Sequence, residues 1–187
     1  MSNITVTNNT LLPIHVATSW KGIIQFYKND LKPGESFNFD KFGLGWTDFT
    51  AVVATSENKF NHDSDASAIL GLVAVGAGIA ASIAGLALLP FSGGSSAALV
   101  AAGYAVAGTA GAISLAGAVI EGVEGALMPA SVKALFVSDG YELNVDGGNI
   151  VGAYEDGVFH VTRIDPLEVR WRNRTSGTQG TETAPAA

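Results

Sequence analysis

The chain has 187 residues, no cysteine and a formal net charge of −7. That length suits one domain, or one domain with an insertion, and can bury a core without disulfide bonds or metal ions. The lack of cysteine excludes disulfide bonds, a thiol nucleophile and a thiolate metal site. The acidic charge argues against a nucleic-acid-binding protein, which needs a basic surface.

The first 60 residues have the pattern of an antiparallel β-protein. Short runs of alternating or β-branched apolar residues are separated by polar turns, a spacing typical of β-sandwiches. Pro33 and Gly34 mark the clearest turn. The predicted strands cover residues 4–7, 13–18, 23–27, 36–40 and 46–55.

The same pattern returns over residues 131–174. Asp-Gly pairs between apolar runs are strong signals of β-hairpin turns, and we expect turns at 139–140, 146–149 and 156–157. The segment 175–187 is rich in Ser, Thr, Gly, Pro and Ala, a composition that predicts a disordered tail. The predicted strands cover residues 133–137, 141–145, 150–154, 158–162 and 167–171.

Residues 61–130, between the two β zones, have a different chemistry. From Ala66 to Ile120 the chain contains no Asp, Glu, Lys, Arg or His. Neither β zone is long enough to form a full sandwich alone. We therefore predict an α+β fold in which an antiparallel β-sandwich, formed by residues 1–60 and 131–174, is split by an inserted hydrophobic α-helical hairpin.

The hairpin has two predicted arms. The first covers residues 66–89, and the second runs from Ser95 or Ser96 to about Ile120 or on to Met128. At about 1.5 Å per residue each arm reaches roughly 36–39 Å, longer than the ~30 Å hydrocarbon core of a bilayer. Each arm is therefore long enough to cross a membrane.

Small residues recur every seven positions in both arms, as at Gly103, Ala110 and Gly117. Such a stripe marks a helix face on which two backbones approach closely. Each interior glycine costs a helix about 1 kcal/mol relative to alanine, and close helix packing would offset that cost. The candidate glycines for packing in a membrane or an oligomer are Gly71, Gly78, Gly85, Gly103, Gly111 and Gly117.

The predicted tip of the hairpin is neutral, and its base is acidic. Crossing a bilayer with an ionised side chain costs about 3 kcal/mol or more, and the tip avoids that cost. Apolar surroundings raise the pKa of a carboxyl group, so acid is expected to promote insertion. The tip residues are Pro90, Phe91, Gly93 and Gly94, and the acid-sensing candidates are Asp63, Asp65, Glu121 and Glu124.

The run from Gly76 to Ala84, with Gly93, Gly94 and the alanine-rich second arm, resembles the interferon-inducible small glycine/alanine-rich hydrophobic membrane proteins. The overall architecture resembles toxins that hide a hydrophobic helical hairpin in a soluble body, such as the pore-forming colicins. Both resemblances imply a membrane as the partner of residues 66–120.

No pattern of catalytic, metal-binding or cofactor-binding residues is present. The chain has no Gly-x-Ser-x-Gly elbow, and Gly76-x-Gly78 lies within an apolar run rather than after a strand. The sequence His62-Asp63-Ser64-Asp65 is better explained as a linker that caps a helix than as a metal site. We therefore expect no enzyme activity, no cofactor and no metal ion.

Two further groups of residues leave alternatives open. Trp20, Trp46 and Trp171 lie near strand ends, where they either pack in the core or form an aromatic rim that meets a ligand or a bilayer interface. A basic run either lies on a solvated edge strand or contacts phosphate or lipid headgroups. Its members are Arg163, Arg170, Arg172 and Arg174.

The function favoured by the sequence is membrane insertion or pore formation through the hairpin, as a homo-oligomer. One alternative is a structural protein whose hairpins pack together without lipid, and another is a soluble β module that binds a small ligand. The N-terminus lacks the basic and apolar regions of a signal peptide. We therefore expect a protein that is cytoplasmic as made and then either associates with membranes or is released by a non-classical route.

Overall fold

A computed structural model describes residues 3–40, 45–54, 58–62, 119–120, 129–155 and 158–184. Over these ranges the chain is almost entirely β, which confirms the β-rich character predicted for both zones. It contains no helix long and apolar enough to cross a membrane within those same residues. The predicted helical hairpin lies almost wholly outside them.

The described ranges form twelve strands and a 3-10 turn at Val137–Asp139. Each predicted strand is present, with bounds shifted by a few residues. The strands are β1 (Ile4–Asn8), β2 (Ile14–Trp20), β3 (Ile23–Leu31), β4 (Ser36–Phe39), β5 (Trp46–Val53), β6 (Val119–Ile120), β7 (Ala130–Phe136), β8 (Tyr141–Gly147), β9 (Ile150–Glu155), β10 (Val158–Ile164), β11 (Leu167–Asn173) and β12 (Gln179–Thr183).

Two sheets share one hydrophobic core. The five-stranded sheet has the order β12-β11-β8-β1-β4, and the four-stranded sheet has the order β3-β2-β5-β7. Ile4 and Leu143 of the first sheet and Val16 and Phe49 of the second are 0–1% exposed members of the same cluster. Each sheet contains strands from before and after residues 66–120, so the two β zones complete one another.

The sequence predicts an antiparallel sandwich, but one pair of neighbouring strands is parallel. β1 pairs with β8 in parallel, with Ile4 opposite Tyr141 and Asn8 opposite Val145. Parallel neighbours need a long connection, and more than 130 residues separate these two strands. Alternating apolar residues identify a strand but not its neighbour, which is why the pattern could not reveal this pair.

Strands β8 to β11 form one long ribbon in which β8 pairs with β11 and β9 with β10, so the hairpin turn predicted at residues 146–149 is wrong. Gly147 pairs with Leu167 in the β8–β11 ladder, and Ile150 pairs with Ile164 in the β9–β10 ladder. The two ladders therefore share one register. Gly147 and Gly148 have φ values of +80° and +64°, a conformation that favours glycine. Beyond this glycine pair, β9 and β10 continue in a separate three-stranded sheet.

The third member of that sheet is β6. Val119 and Ile120 pair in parallel with His160 and Val161 of β10, whereas the sequence placed them at the end of the second helical arm. Both are β-branched, which favours a strand over a helix where the edge of another strand is free.

The C-terminal tail, predicted to be disordered, forms β12 and pairs with β11 from Arg172–Gln179 to Glu168–Thr183. Asn173 supports the turn, since its Oδ1 accepts hydrogen bonds from the backbone N–H groups of Thr175 and Ser176, both at 2.9 Å. A tail of polar and small residues is ordered here because its backbone completes the sheet edge.

Candidate functional site

Most residues predicted to act in membrane insertion lie outside the described part of the chain. Their predicted roles therefore stay predictions. They are the packing glycines Gly71, Gly78, Gly85, Gly103, Gly111 and Gly117, the tip residues Pro90, Phe91, Gly93 and Gly94, and the acidic residues Asp63, Asp65, Glu121 and Glu124.

Large apolar side chains are exposed at one end of the four-stranded sheet. Trp20, Ile23 and Trp46 are 48%, 62% and 58% exposed. Lys21 lies beside them, with its Nζ 4.8 Å from the centre of the Trp20 ring. These four residues, which we call the aromatic end, are the combination of apolar, aromatic and cationic side chains found at membrane interfaces.

The strand order brings these residues together. Trp20 pairs with Ile23 across the tight β2–β3 turn, in which Lys21 and Gly22 have φ values of +51° and +83°. Trp46 begins β5, the other neighbour of β2, and its ring lies 5.0 Å from that of Phe136 at the end of β7. The ends of all four strands therefore meet at this end of the sheet.

The tryptophans thus divide between the two alternatives left open by the sequence. Trp20 and Trp46 form an exposed rim, whereas Trp171 is partly buried against the core. The Trp171 ring lies 6.4 Å from that of Tyr141. Its Nε1 is buried and has no hydrogen-bond partner among the described residues.

The basic run is already partly neutralised. Arg170 donates two hydrogen bonds of 2.8 Å to the carboxylate of Asp146, and these bonds, with the charge of Asp146, raise the pKa of the guanidinium above its ordinary value. Arg174 lies 3.2 Å from Glu142. Arg172 is exposed, and Arg163 lies on β10. This pairing favours a solvated strand surface over a phosphate site.

A cleft opens between β3 and β4, where the edges of the two sheets meet. Its volume is about 330 Å³, within the usual range for small-ligand sites. Aromatic rings dominate its walls. We call it the aromatic cleft, and its lining residues are Phe26, Tyr27, Phe37, Asn38, Phe39, Asp40 and His62.

Residues 58–62 lead from the body towards residues 66–120. Asn58 donates to the backbone oxygen of Val53 at 2.8 Å, and Asn29 of β3 exchanges two hydrogen bonds with the backbone of Phe60. The His62 ring lies 5.1 Å from that of Tyr27. The segment therefore runs along β3 in the direction of the aromatic end.

The chain re-enters the sandwich at the opposite edge of the four-stranded sheet, where Ala130 of β7 pairs with Ala51. Three strand spacings of about 4.8 Å separate β3 from β7, so the two points of attachment are ~14 Å apart or more. The described segment before residue 63 and the strand after residue 128 therefore lie at different edges of the four-stranded sheet.

The histidines do not mark a metal site in the part of the chain that the structure describes. His15 is fully buried, and its Nδ1 accepts a hydrogen bond from the backbone N–H of Asp30 at 3.0 Å. No group of three His, Asp or Glu residues converges among the described residues.

Comparison of the chain with protein-family models, curated proteins and solved structures finds no match.

Proposed function

We propose that this protein binds lipid membranes and inserts residues 66–118, the part of the apolar segment that precedes β6, into the bilayer, acting as a homo-oligomer. The observation that carries the proposal is the sequence of residues 66–120, in which 55 consecutive residues contain no ionisable Asp, Glu, Lys, Arg or His side chain. A bilayer accepts such a segment because no charged group has to lose its water.

The aromatic end supports the proposal. Tryptophan rings prefer the membrane–water interface, where the apolar ring leaves water while the indole N–H keeps a polar partner. Trp20 and Trp46 are about half exposed, and Lys21 supplies a cation beside them. We infer that the aromatic end faces the bilayer when the protein is bound.

The position of residues 58–62 agrees with this orientation. His62 lies beside Tyr27, four residues from Ile23 along β3. At about 3.3 Å per residue this separation is ~13 Å. The chain therefore leaves the described body ~13 Å from the surface that we place against lipid, and it re-enters at Ala130, at the other end of β7 from Phe136 and the aromatic end.

Vesicle flotation with dye release tests the proposal. The protein is expected to float with phosphatidylcholine vesicles and release their contents, and Phe91→Asp at the predicted tip should reduce release by tenfold or more, since moving a carboxylate across the bilayer costs about 3 kcal/mol. Thr181→Asp, which adds the same charge on the exposed strand β12, serves as the matched control.

Three results would separate the alternatives. Flotation and release lost in Phe91→Asp alone would support insertion. A large assembly that does not bind vesicles would favour the structural protein. A monomer that does not bind them would favour the soluble ligand-binding module. Equal release by both variants would contradict a role for the tip.

A further inference from the structure

The aromatic cleft has the composition of a site for an organic cation. Four of its seven lining residues, Phe26, Tyr27, Phe37 and Phe39, are aromatic. The faces of aromatic rings carry negative potential and attract cations. A cleft with this lining favours a ligand that is both apolar and positively charged.

The rings are held at defined angles by one another. Phe37 and Phe39 are edge to face, with centres 5.0 Å apart and planes at 81°. Tyr27 and His62 form a second such pair at 5.1 Å and 66°. Phe39 is 3% exposed and part of the core, while Phe26, Tyr27 and Phe37 are partly buried against it. The walls are therefore positioned before any ligand arrives.

The charge at the cleft indicates the sign of the ligand. Asp40 lines the cleft, and within the described residues it makes no ion pair. An anionic ligand would meet Asp40 and the ring faces unfavourably. Outside the lining, the ammonium group of Lys28 lies 5.9 Å from the centre of the Phe37 ring, so a ligand cation has to compete with Lys28 for that ring face.

We propose that the aromatic cleft binds a quaternary ammonium group, the charged end of choline and its derivatives. Such a group carries a weakly hydrated positive charge spread over apolar methyl groups. Aromatic walls bind it better than the compact, strongly hydrated ammonium of lysine or ethanolamine. Its methyl groups cover the rings, and Asp40 balances its charge.

The position of the cleft connects this site to the membrane. Phe26 is three residues from Ile23 of the aromatic end, or about 10 Å along β3. A choline headgroup of a lipid would lie at that depth if the aromatic end faces the bilayer. Recognition of a lipid headgroup rests on the proposed function, whereas recognition of a soluble quaternary amine does not.

Calorimetric titration of the full-length protein tests the site. Tetramethylammonium and phosphocholine are expected to bind saturably, and 3,3-dimethylbutan-1-ol, a neutral compound of the shape of choline, at least about fivefold more weakly because it lacks the cation. Phe37→Leu, which keeps an apolar side chain but removes the ring face, and Asp40→Asn should each weaken binding by a similar factor. Glu182→Gln removes the same charge as Asp40→Asn from the exposed strand β12, at the far edge of the five-stranded sheet, and should not.

The outcomes distinguish this proposal from the membrane function. Phosphocholine that displaces the protein from phosphatidylcholine vesicles, but not from phosphatidylglycerol vesicles, would identify the lipid headgroup as the source of the ligand. Phosphocholine binding without displacement would support the site with a soluble quaternary amine. Equal affinity for the cation and its neutral analogue, absence of saturable binding, or unchanged binding by both Phe37→Leu and Asp40→Asn would overturn the site even if the protein inserts into vesicles.

Discussion

The indole of Trp171 packs directly over Gly180, its partner in the β11–β12 pair. A Cβ atom at Gly180 would lie 2.7 Å from Cζ2 of the ring and 2.8 Å from Nε1, closer than atoms in contact can approach. The last strand, which pairs with β11 through its backbone, therefore also contacts the core through one glycine.

Replacing Gly180 with alanine is expected to destabilise the protein by about 1–3 kcal/mol, because the added methyl group overpacks the ring. Urea denaturation followed by circular dichroism measures the loss. In a Trp171→Leu background the same substitution should cost much less. An equal cost in both backgrounds would mean that the indole is not the cause.

The strands could be predicted from the sequence, but their neighbours could not. The 0% exposure of Ile4 and Val6 follows directly from alternation. The order of β12 depends on Trp171 and Gly180, which are nine residues apart and carry no local signal of pairing. Composition alone, which favoured disorder, says nothing about whether a neighbouring strand offers a free edge.

The candidate sites could be predicted only in part, because the sequence does not show which strands are neighbours. The sequence indicated an aromatic rim at Trp20, Trp46 and Trp171 as one of two alternatives, and exposure in the fold places Trp20 and Trp46 in the rim and Trp171 against the core. It could not reveal the aromatic cleft, since the rings of Tyr27, Phe37 and His62 come from β3, β4 and the segment after β5. Only the meeting of the two sheet edges places them around one space.

Asn8 is expected to be a major contributor to stability. Its fully buried side chain donates to the backbone oxygens of Leu12 and Leu31 at 2.8 and 2.9 Å, and accepts from both the N–H and the hydroxyl of Thr10. Asn8→Ala should cost about 2–4 kcal/mol, because several buried polar groups lose their partners.

The neighbouring Asn9 is the control for that experiment. It is exposed and makes one side-chain hydrogen bond, of 3.3 Å, to Asp146, so Asn9→Ala should change the free energy of unfolding by less than about 0.5 kcal/mol. Thermal or urea unfolding of the two variants measures the difference. Similar losses for both would contradict the importance given to the Asn8 network.

Acid is expected to promote insertion through Glu121 and Glu124. Both follow the apolar segment directly in the sequence, and a carboxyl group near lipid is favoured in its protonated form. Insertion should therefore increase as the pH falls and these carboxyl groups take up protons, and decrease as the pH rises and they ionise. Dye release from anionic vesicles between about pH 7 and about pH 4.5 measures this dependence.

A variant that combines Glu121→Gln and Glu124→Gln should release dye at higher pH than the unaltered protein, because the end of its apolar segment carries no carboxyl group to protonate. The control combines Glu168→Gln and Glu182→Gln on β11 and β12, which removes the same charge from the body. If both pairs shift the release profile equally, the effect belongs to net charge and not to the base of the hairpin.

The most direct test of the membrane account is tryptophan quenching by lipids with brominated acyl chains. Three proteins, each retaining one tryptophan and carrying phenylalanine at the other two positions, report separately on Trp20, Trp46 and Trp171. The account predicts that vesicles quench Trp20 and Trp46, at the aromatic end, strongly and shift their emission to the blue, with much weaker quenching of Trp171 inside the body. Vesicle-bound protein in which Trp171 is quenched as strongly as Trp20 and Trp46, or in which neither rim tryptophan is quenched, would contradict it.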